Sequence, residues 1–453
     1  MNAHSLTEAS DAVGARKRHP FMSRRVAMLG GTTSIGDCVS AAAFLLKPHR
    51  LVRGPSVREY ESAFADYIGT RHSFSFSSGR LALFGILRAM GIGEGDDVII
   101  QVPTHIVVAN AIRYTSARPV FTDSDFRTCN VDLASLERAI TARTKAIVLQ
   151  HTFGIPADLD AVLRLCRERG IDVIEDCVHA LGARYKGAPV GSFGRAGFFS
   201  TEESKTISTT MGGMAVTNDD ELAGRLQEFQ QQCASPSALI TARCLLKLVL
   251  YHVLTAPRFL RYLWPLYESF GRPYPVGRAV TVQESHGDRP PDYECRLSNA
   301  QALLGRRQLS RIGANLAHRE RIAAAYRARL QALGFDMPGP PAHANPAYVR
   351  FPLYVEDQQA AVSAAASHAN LGTWFTTVLL DAADARVAGY APGSCLTAEL
   401  LTRRLVNLPV HRRVSISDVD AIVAALGHAA HRHEGVSSSR LPAVQRGRHY
   451  LRE

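Results

Sequence analysis

Residues 173–219 read VIEDCVHALGARYKGAPVGSFGRAGFFSTEESKTISTTMGGMAVTND. An apolar run ends on the acidic pair "ED", a glycine-rich hairpin follows, and a second apolar run, "AGFFS", leads to a lone lysine, Lys205. That lysine stands between a serine and threonine cluster and the dipeptide "GG". Continuous rather than alternating apolarity marks strands covered on both faces, as in a mainly parallel sheet. Ligands of such sheets sit beyond the C-terminal ends of the strands. Asp176 follows "DVIE" and Ser200 closes "AGFFS", so both are expected on that rim. Asp176 and Lys205 are then either ordinary surface charges or the two ends of a cofactor site.

The same alternation extends outward. "SVREYESAFADYIG" and "SGRLALFGILRAMGI" read as helices, the second introduced by a Ser-Ser-Gly turn; "DDVIIQV", "KAIVLQH", "IDVIED" and "GMAVTND" read as buried strands. Strands alternating with helices predict an α/β fold, a large mainly parallel sheet covered by helices, over residues 26–235. Residues 236–292 change character, with leucines and aromatics interspersed with Arg and Lys. Pro257, Arg258, Arg261 and Pro265 interrupt that stretch, so it does not span a bilayer; it reads as two short helices joined at Pro257 that pack on the protein or a twin subunit or lie on a membrane surface. A long helical signal over 293–335 bridges to a smaller C-terminal α+β domain, 336–432. Loose basic tails are expected at 1–25 and 433–453.

The 453 residues suffice for more than one core. A little under half of the net charge of +11 lies in those tails, and no zinc-finger spacing, RNP-like aromatic motif or basic helix supports a nucleic-acid partner. Eight scattered cysteines without a CxxC pair suit reduced thiols in a cytoplasm and argue against a structural metal. "SRRVAMLGG" faintly resembles a twin-arginine signal, but the residues after it lack a sustained apolar core and read as an amphipathic helix of the folded chain.

A lysine at a strand end acts as a nucleophile when its amine condenses with an aldehyde. The commonest aldehyde held this way is pyridoxal phosphate, which makes further demands. It needs a carboxylate at the pyridine nitrogen, a hydroxyl and helix N-terminal amides for its phosphate, a flat side chain over the ring, and a polar group at its phenolic oxygen.

The block from "IEDCVHALG" to "GGMAVTND" resembles the centre of the DegT/DnrJ/EryC1/StrS family of sugar aminotransferases, of pyridoxal-phosphate fold type I. "FSSGRLAL", "VPTHIVVANAIRYTSARPVFTDSD" and "RLSNAQALLGRRQL" resemble further family blocks in the same order. The resemblance implies that Lys205 carries the cofactor as a Schiff base and that Asp176 faces the pyridine nitrogen. It implies that His179 meets the phenolic oxygen, that Ser200 and the amides of Gly79 and Arg80 hold the phosphate, and that His105 lies over the ring. The Arg80 guanidinium could equally reach substrate. Glu294, in "YECR", stands where relatives often have an Asn reaching the neighbouring subunit's phosphate, and a carboxylate there calls for a balancing cation. Trp374 and Phe375 are open between pocket wall and core, and His151 between site and packing.

The implied activity is transfer of an amino group from glutamate or glutamine to a keto-sugar, nucleotide-linked in the family, or a related cyclic ketone. A homodimer is expected, with a peripheral membrane contact offered through 243–270. Three alternatives stay open: a dehydratase or deoxygenase of the same family, against which Lys205 argues; a non-catalytic protein that docks to a membrane or partner on this fold; and an aminotransferase acting on a lipid-linked substrate at the membrane surface, which the 236–292 insert motivates.

Overall fold

A computed structural model describes residues 25–257, 260 and 280–434. The expected tails, apart from their innermost residues, and most of the insert between 258 and 279 lie outside those residues. Seven strands form the central sheet: β1 His72–Phe76, β2 Asp97–Gln101, β3 Arg118–Thr122, β4 Thr144–Gln150, β5 Asp172–Asp176, β6 Ala196–Ser200 and β7 Gly213–Thr217. They are ordered β1-β7-β6-β5-β4-β2-β3. β7 runs antiparallel to both neighbours and the other adjacent pairs are parallel. The α/β class expected from the sequence is the class observed.

Successive residues of these strands enter different cores, which is why their apolar runs are continuous. Val98, Val148, Phe198 and Ala215 pack on one face, with the helix Gly79–Ala89. Ile99, Ile147, Phe199 and Val216 pack on the other, with the helix Ser56–Ile68. The pleat alternates while burial does not.

The acidic pair obeys the same rule, and its members have different fates. Glu175 is fully buried and accepts hydrogen bonds from the N–H groups of Gly191, Phe193 and Gly194 at 2.7–2.8 Å, and it meets His151 Nε2 at 3.1 Å. The hairpin after β5 is thereby folded back on the strand. Its glycines permit the approach: a Cβ on Gly194 would stand 2.5 Å from the Val173 oxygen, and one on Gly191 2.6 Å from the Phe199 ring. His151, whose Nδ1 also accepts from Ala157 N–H, is a packing residue. Asp176, one residue on, points to the opposite side of the pleat.

The helical signal after residue 293 is two helices, Asn299–Leu309 and Ile312–Ala332, because Arg311 leaves helical geometry at φ −121°, ψ 15°. The second helix packs in a separate core with the antiparallel strands Phe351–Tyr354 and Leu405–Leu408 and the helix Ile416–Glu434. Val26 joins that core and pairs with Ala369. From there the chain passes through Gly30 and Gly31, both at positive φ, toward the large sheet.

Glu175→Ala would strip three N–H groups, one buried and two half-buried, of their acceptor. It is expected to cost about 3–5 kcal/mol, read as a lowered urea midpoint; a loss below about 1 kcal/mol would contradict the anchoring role.

Candidate active site

The strand ends converge because of register. Gln150 lies beside Asp176, Asp176 beside Phe198, and Phe76 beside Gly213, which lies beside Ser200. Two residues after Phe76, Ser78 caps the helix Gly79–Ala89 by accepting from Leu81 N–H. This helix begins against the end of β6: a Cβ on Gly79 would be 3.1 Å from Ser200 Cβ and 3.2 Å from the Phe199 oxygen. Gly213 is bare for the same reason, since its Cβ would lie 2.3 Å from the Ser78 carbonyl. A helix N-terminus and a hydroxyl thus meet at the rim, an arrangement suited to an anion.

Asp176 is buried and accepts one hydrogen bond from Val178 N–H at 3.1 Å. Burial raises its pKa to about 6, against the pull of that N–H, of Lys205 and of His151. Lys205 is buried as well, and desolvation lowers its pKa to about 8 while Glu202 and Asp176 favour the ammonium and Arg350 disfavours it. Both groups carry charge near neutrality at a cost, which is a signature of functional sites more than of structural ion pairs.

His179 is buried with neither ring nitrogen hydrogen-bonded. Burial, then the charges of Lys205 and Arg350, hold its pKa well below the ordinary imidazole value, so the ring is neutral. Trp374 forms a wall of the same pocket. Its ring lies 4.8 Å from His179, 5.1 Å from Lys205 Nζ and 3.7 Å from the Arg350 guanidinium carbon. Sequence reasoning left Trp374 undecided and missed Arg350; the one available signal was an arginine inside the apolar run "YVRFPLYV".

His105 ends a two-residue strand that pairs with Leu379–Leu380, accepts from Val107 N–H and meets Asp381 at 3.2 Å. The Arg80 guanidinium turns away from substrate duty and grips the buried Glu284 at 2.7 Å, leaving its backbone amide at the helix mouth. Glu294 is paired with Arg289, a cation of the kind its position called for.

Around Lys205 the loop 201–211 is held by side chains of the two bridging helices. Gln308 exchanges hydrogen bonds with the Ser208 backbone, Gln301 donates to the Thr209 and Met211 oxygens, and Asn315 donates to the Thr206 oxygen. Thr32 of the N-terminal segment donates to the Lys205 oxygen. None of these ties was foreseen, because each joins residues about 90 or more positions apart.

The donor set fits pyridoxal phosphate on the molecule's own terms. A buried carboxylate and a buried lysine share the rim, a hydroxyl and helix amides form an anion cup, and two unpartnered imidazole nitrogens lack an acceptor or donor that a bound ring would supply. The trio His151, Glu175 and Cys177 has metal-ligand chemistry but is buried, and the Glu175 oxygens are filled by backbone donors.

Comparison with known proteins agrees. The family model for the DegT/DnrJ/EryC1/StrS aminotransferases matches residues 36–242 and 268–427. The chain is 37% identical to the GDP-perosamine synthase of Caulobacter vibrioides over 62% of this chain and 63% of that relative, which is under two thirds of its length. It is 30% identical to the spore coat polysaccharide biosynthesis protein SpsC of Bacillus subtilis over 91% of this chain and 97% of SpsC. The structure of S. venezuelae DesV in complex with ketimine intermediate superposes with a TM-score of 0.68 at 26% identity, covering 87% of this chain and 95% of that one. With sheet order, pocket chemistry and sequence in agreement, the chain belongs to the DegT/DnrJ/EryC1/StrS aminotransferase family, whose cofactor is pyridoxal phosphate.

Proposed function

We propose that this chain moves an amino group from glutamate or glutamine to a nucleotide-linked keto-sugar, with Lys205, Asp176, His179, Ser200, Gly79, Arg80 and His105 at the cofactor. The carrying observation is the buried Lys205, its pKa lowered to about 8 by burial, on the same rim as a buried Asp176. Names of relatives such as GDP-perosamine synthase support the nucleotide-sugar class. The chain works as a homodimer in the cytoplasm, in keeping with eight free thiols, and makes a peripheral membrane contact through 243–270.

When bound, the cofactor supplies an electron sink that lets a proton leave the carbon bearing the amine. The chain's residues do the rest. Asp176 holds a proton on the ring nitrogen by charge. Ser200 Oγ and the amides of Gly79 and Arg80 hold the phosphate. His179 donates or accepts at the ring oxygen, and His105 with Trp374 limits ring motion. Lys205 would hold the cofactor's aldehyde carbon and, as a free neutral amine, would serve as the base that takes and returns the substrate proton at Nζ. Arg350 makes one wall cationic, which suits an anionic donor and a nucleotide-linked acceptor.

Protein purified with pyridoxal phosphate is expected to show visible absorbance that borohydride bleaches and glutamate or glutamine shifts. Lys205→Ala should show no bleachable band. A folded wild type without the band would overturn the reading.

The lysine's burial also sets a pH dependence of stability in cofactor-free protein. Below about pH 8 Lys205 is protonated in both folded and unfolded chains, and the cost of burying its charge is fully present. Between about 8 and 10.5 only the unfolded chain keeps the proton, so stability rises with pH. Lys205→Met is therefore expected to gain up to about 3 kcal/mol at pH 7, a gain largely gone by about pH 10. Urea midpoints at both pH values measure it; a Lys205→Met protein no more stable at pH 7 would contradict the burial cost.

A further inference from the structure

The helices Ile35–Leu45 and Ala238–Leu254 pack on each other. Their inner sides are used: Leu245 and Leu248 meet Ala41, Leu51, Ala300 and Leu304 in one small core. Their outer sides are apolar as well. Of fifteen exposed large apolar side chains among the described residues, eight belong to these helices or their caps. Ile35, Val39 and Leu46 are 74%, 62% and 84% exposed, and Leu239, Leu246 and Leu250 are about half or more exposed. Spacings of four and seven residues put each set on one stripe of its helix.

The charge around this face has one sign. Ala238–Leu254 contains no acid, and Asp37, the one acid of the other helix, is buried and paired with Arg311. Arg243, Lys47, Arg50 and Arg53 are exposed beside the stripes. The chain that leaves Leu254 continues the same chemistry in sequence: residues 258–279, RFLRYLWPLYESFGRPYPVGRA, hold four arginines, one acid and one of the two tryptophans. No helix among the described residues is long and apolar enough to cross a membrane. The family model leaves residues 243–267 unmatched, so much of this face lies outside the shared pattern.

We infer that the paired outer face of Ile35–Leu45 and Ala238–Leu254 docks on an anionic phospholipid surface. The inference rests on the peripheral contact proposed above and names its surface and its partner. An apolar stripe rimmed by cations and free of exposed acid matches the boundary between headgroups and acyl chains. A second copy on the same face would bring like-charged rims together. The inner side of Ala238–Leu254 is bound to the catalytic loop, through Thr210 Oγ1 donating to the Cys244 oxygen at 3.1 Å and through Lys247 and Glu203 at 3.0 Å. Docking therefore holds the Lys205 loop roughly one helix diameter, about 10 Å, from lipid.

The full-length, cofactor-loaded protein would be sedimented with vesicles of phosphatidylcholine, alone or with roughly 30 mol % phosphatidylglycerol. The wild type is expected to bind the anionic vesicles and to be released by salt. Leu246→Glu/Leu250→Glu and Ile35→Glu/Val39→Glu should each weaken binding about tenfold or more, with unchanged mass in light scattering and unchanged cofactor absorbance. Undiminished binding by both variants would overturn the inference. So would a wild type that ignores vesicles while the variants fall to a smaller mass, which would mark an interface between copies. Vesicle binding by protein without cofactor absorbance would overturn the catalytic reading and leave the docking face standing.

Discussion

Two opposite charges buried on one rim, Asp176 at the end of β5 and Lys205 in the loop after β6, set the terms for the rest of the molecule. In the cofactor-free chain neither is comfortable. Above about pH 6 the carboxylate is ionised without full solvation, and below about pH 8 the amine is charged in the same surroundings. Near neutrality both costs coincide. A fold keeps such a pair when the surrounding structure leaves it no escape, and here the restraints are visible. Glu175 secures the hairpin behind β5, Gly213 lets the Ser78 turn close on β7, and amide side chains of the bridging helices clasp the lysine loop.

The clasp has an additional part. Thr32, Lys247 and the Cys244 carbonyl reach the loop from the N-terminal segment and the Ala238–Leu254 helix. His252 and Thr255 of that helix region also bind Arg413 of the C-terminal unit. This segment is apolar on its outer side and bonded to the Lys205 loop on its inner side. Tyr251, half-buried on the same helix, has its hydroxyl pKa pushed far up, first by desolvation and then by the charges of Glu202 and Glu203.

Much of this was legible in the sequence because it is local or periodic. The buried strands announced themselves by continuous apolarity, the "SSG" turn by its capping serine, and the rim residues Asp176 and Ser200 by their place after apolar runs. Other features had no local signature. The two acids of "ED" look alike in sequence, yet three backbone donors claim Glu175 and one claims Asp176. Arg80 reads as a phosphate contact through its amide with a guanidinium free to reach substrate, until Glu284, some 200 residues on, takes that guanidinium. Trp374 becomes a pocket wall through the fold of the smaller unit, and Val26 joins that unit by pairing with Ala369. The break at Arg311 interrupts no hydrophobic pattern, so a single long helix was the natural expectation.

In the role proposed for it, Asp176 holds the cofactor's ring nitrogen in its protonated form. Nitrogen-15 NMR of protein loaded with ring-labelled pyridoxal phosphate reads that proton directly. A pyridinium shift in the wild type at neutral pH, moving to the neutral pyridine value in Asp176→Ala, is the result this account requires. The same shift in both proteins, or a neutral ring in the wild type, would contradict it.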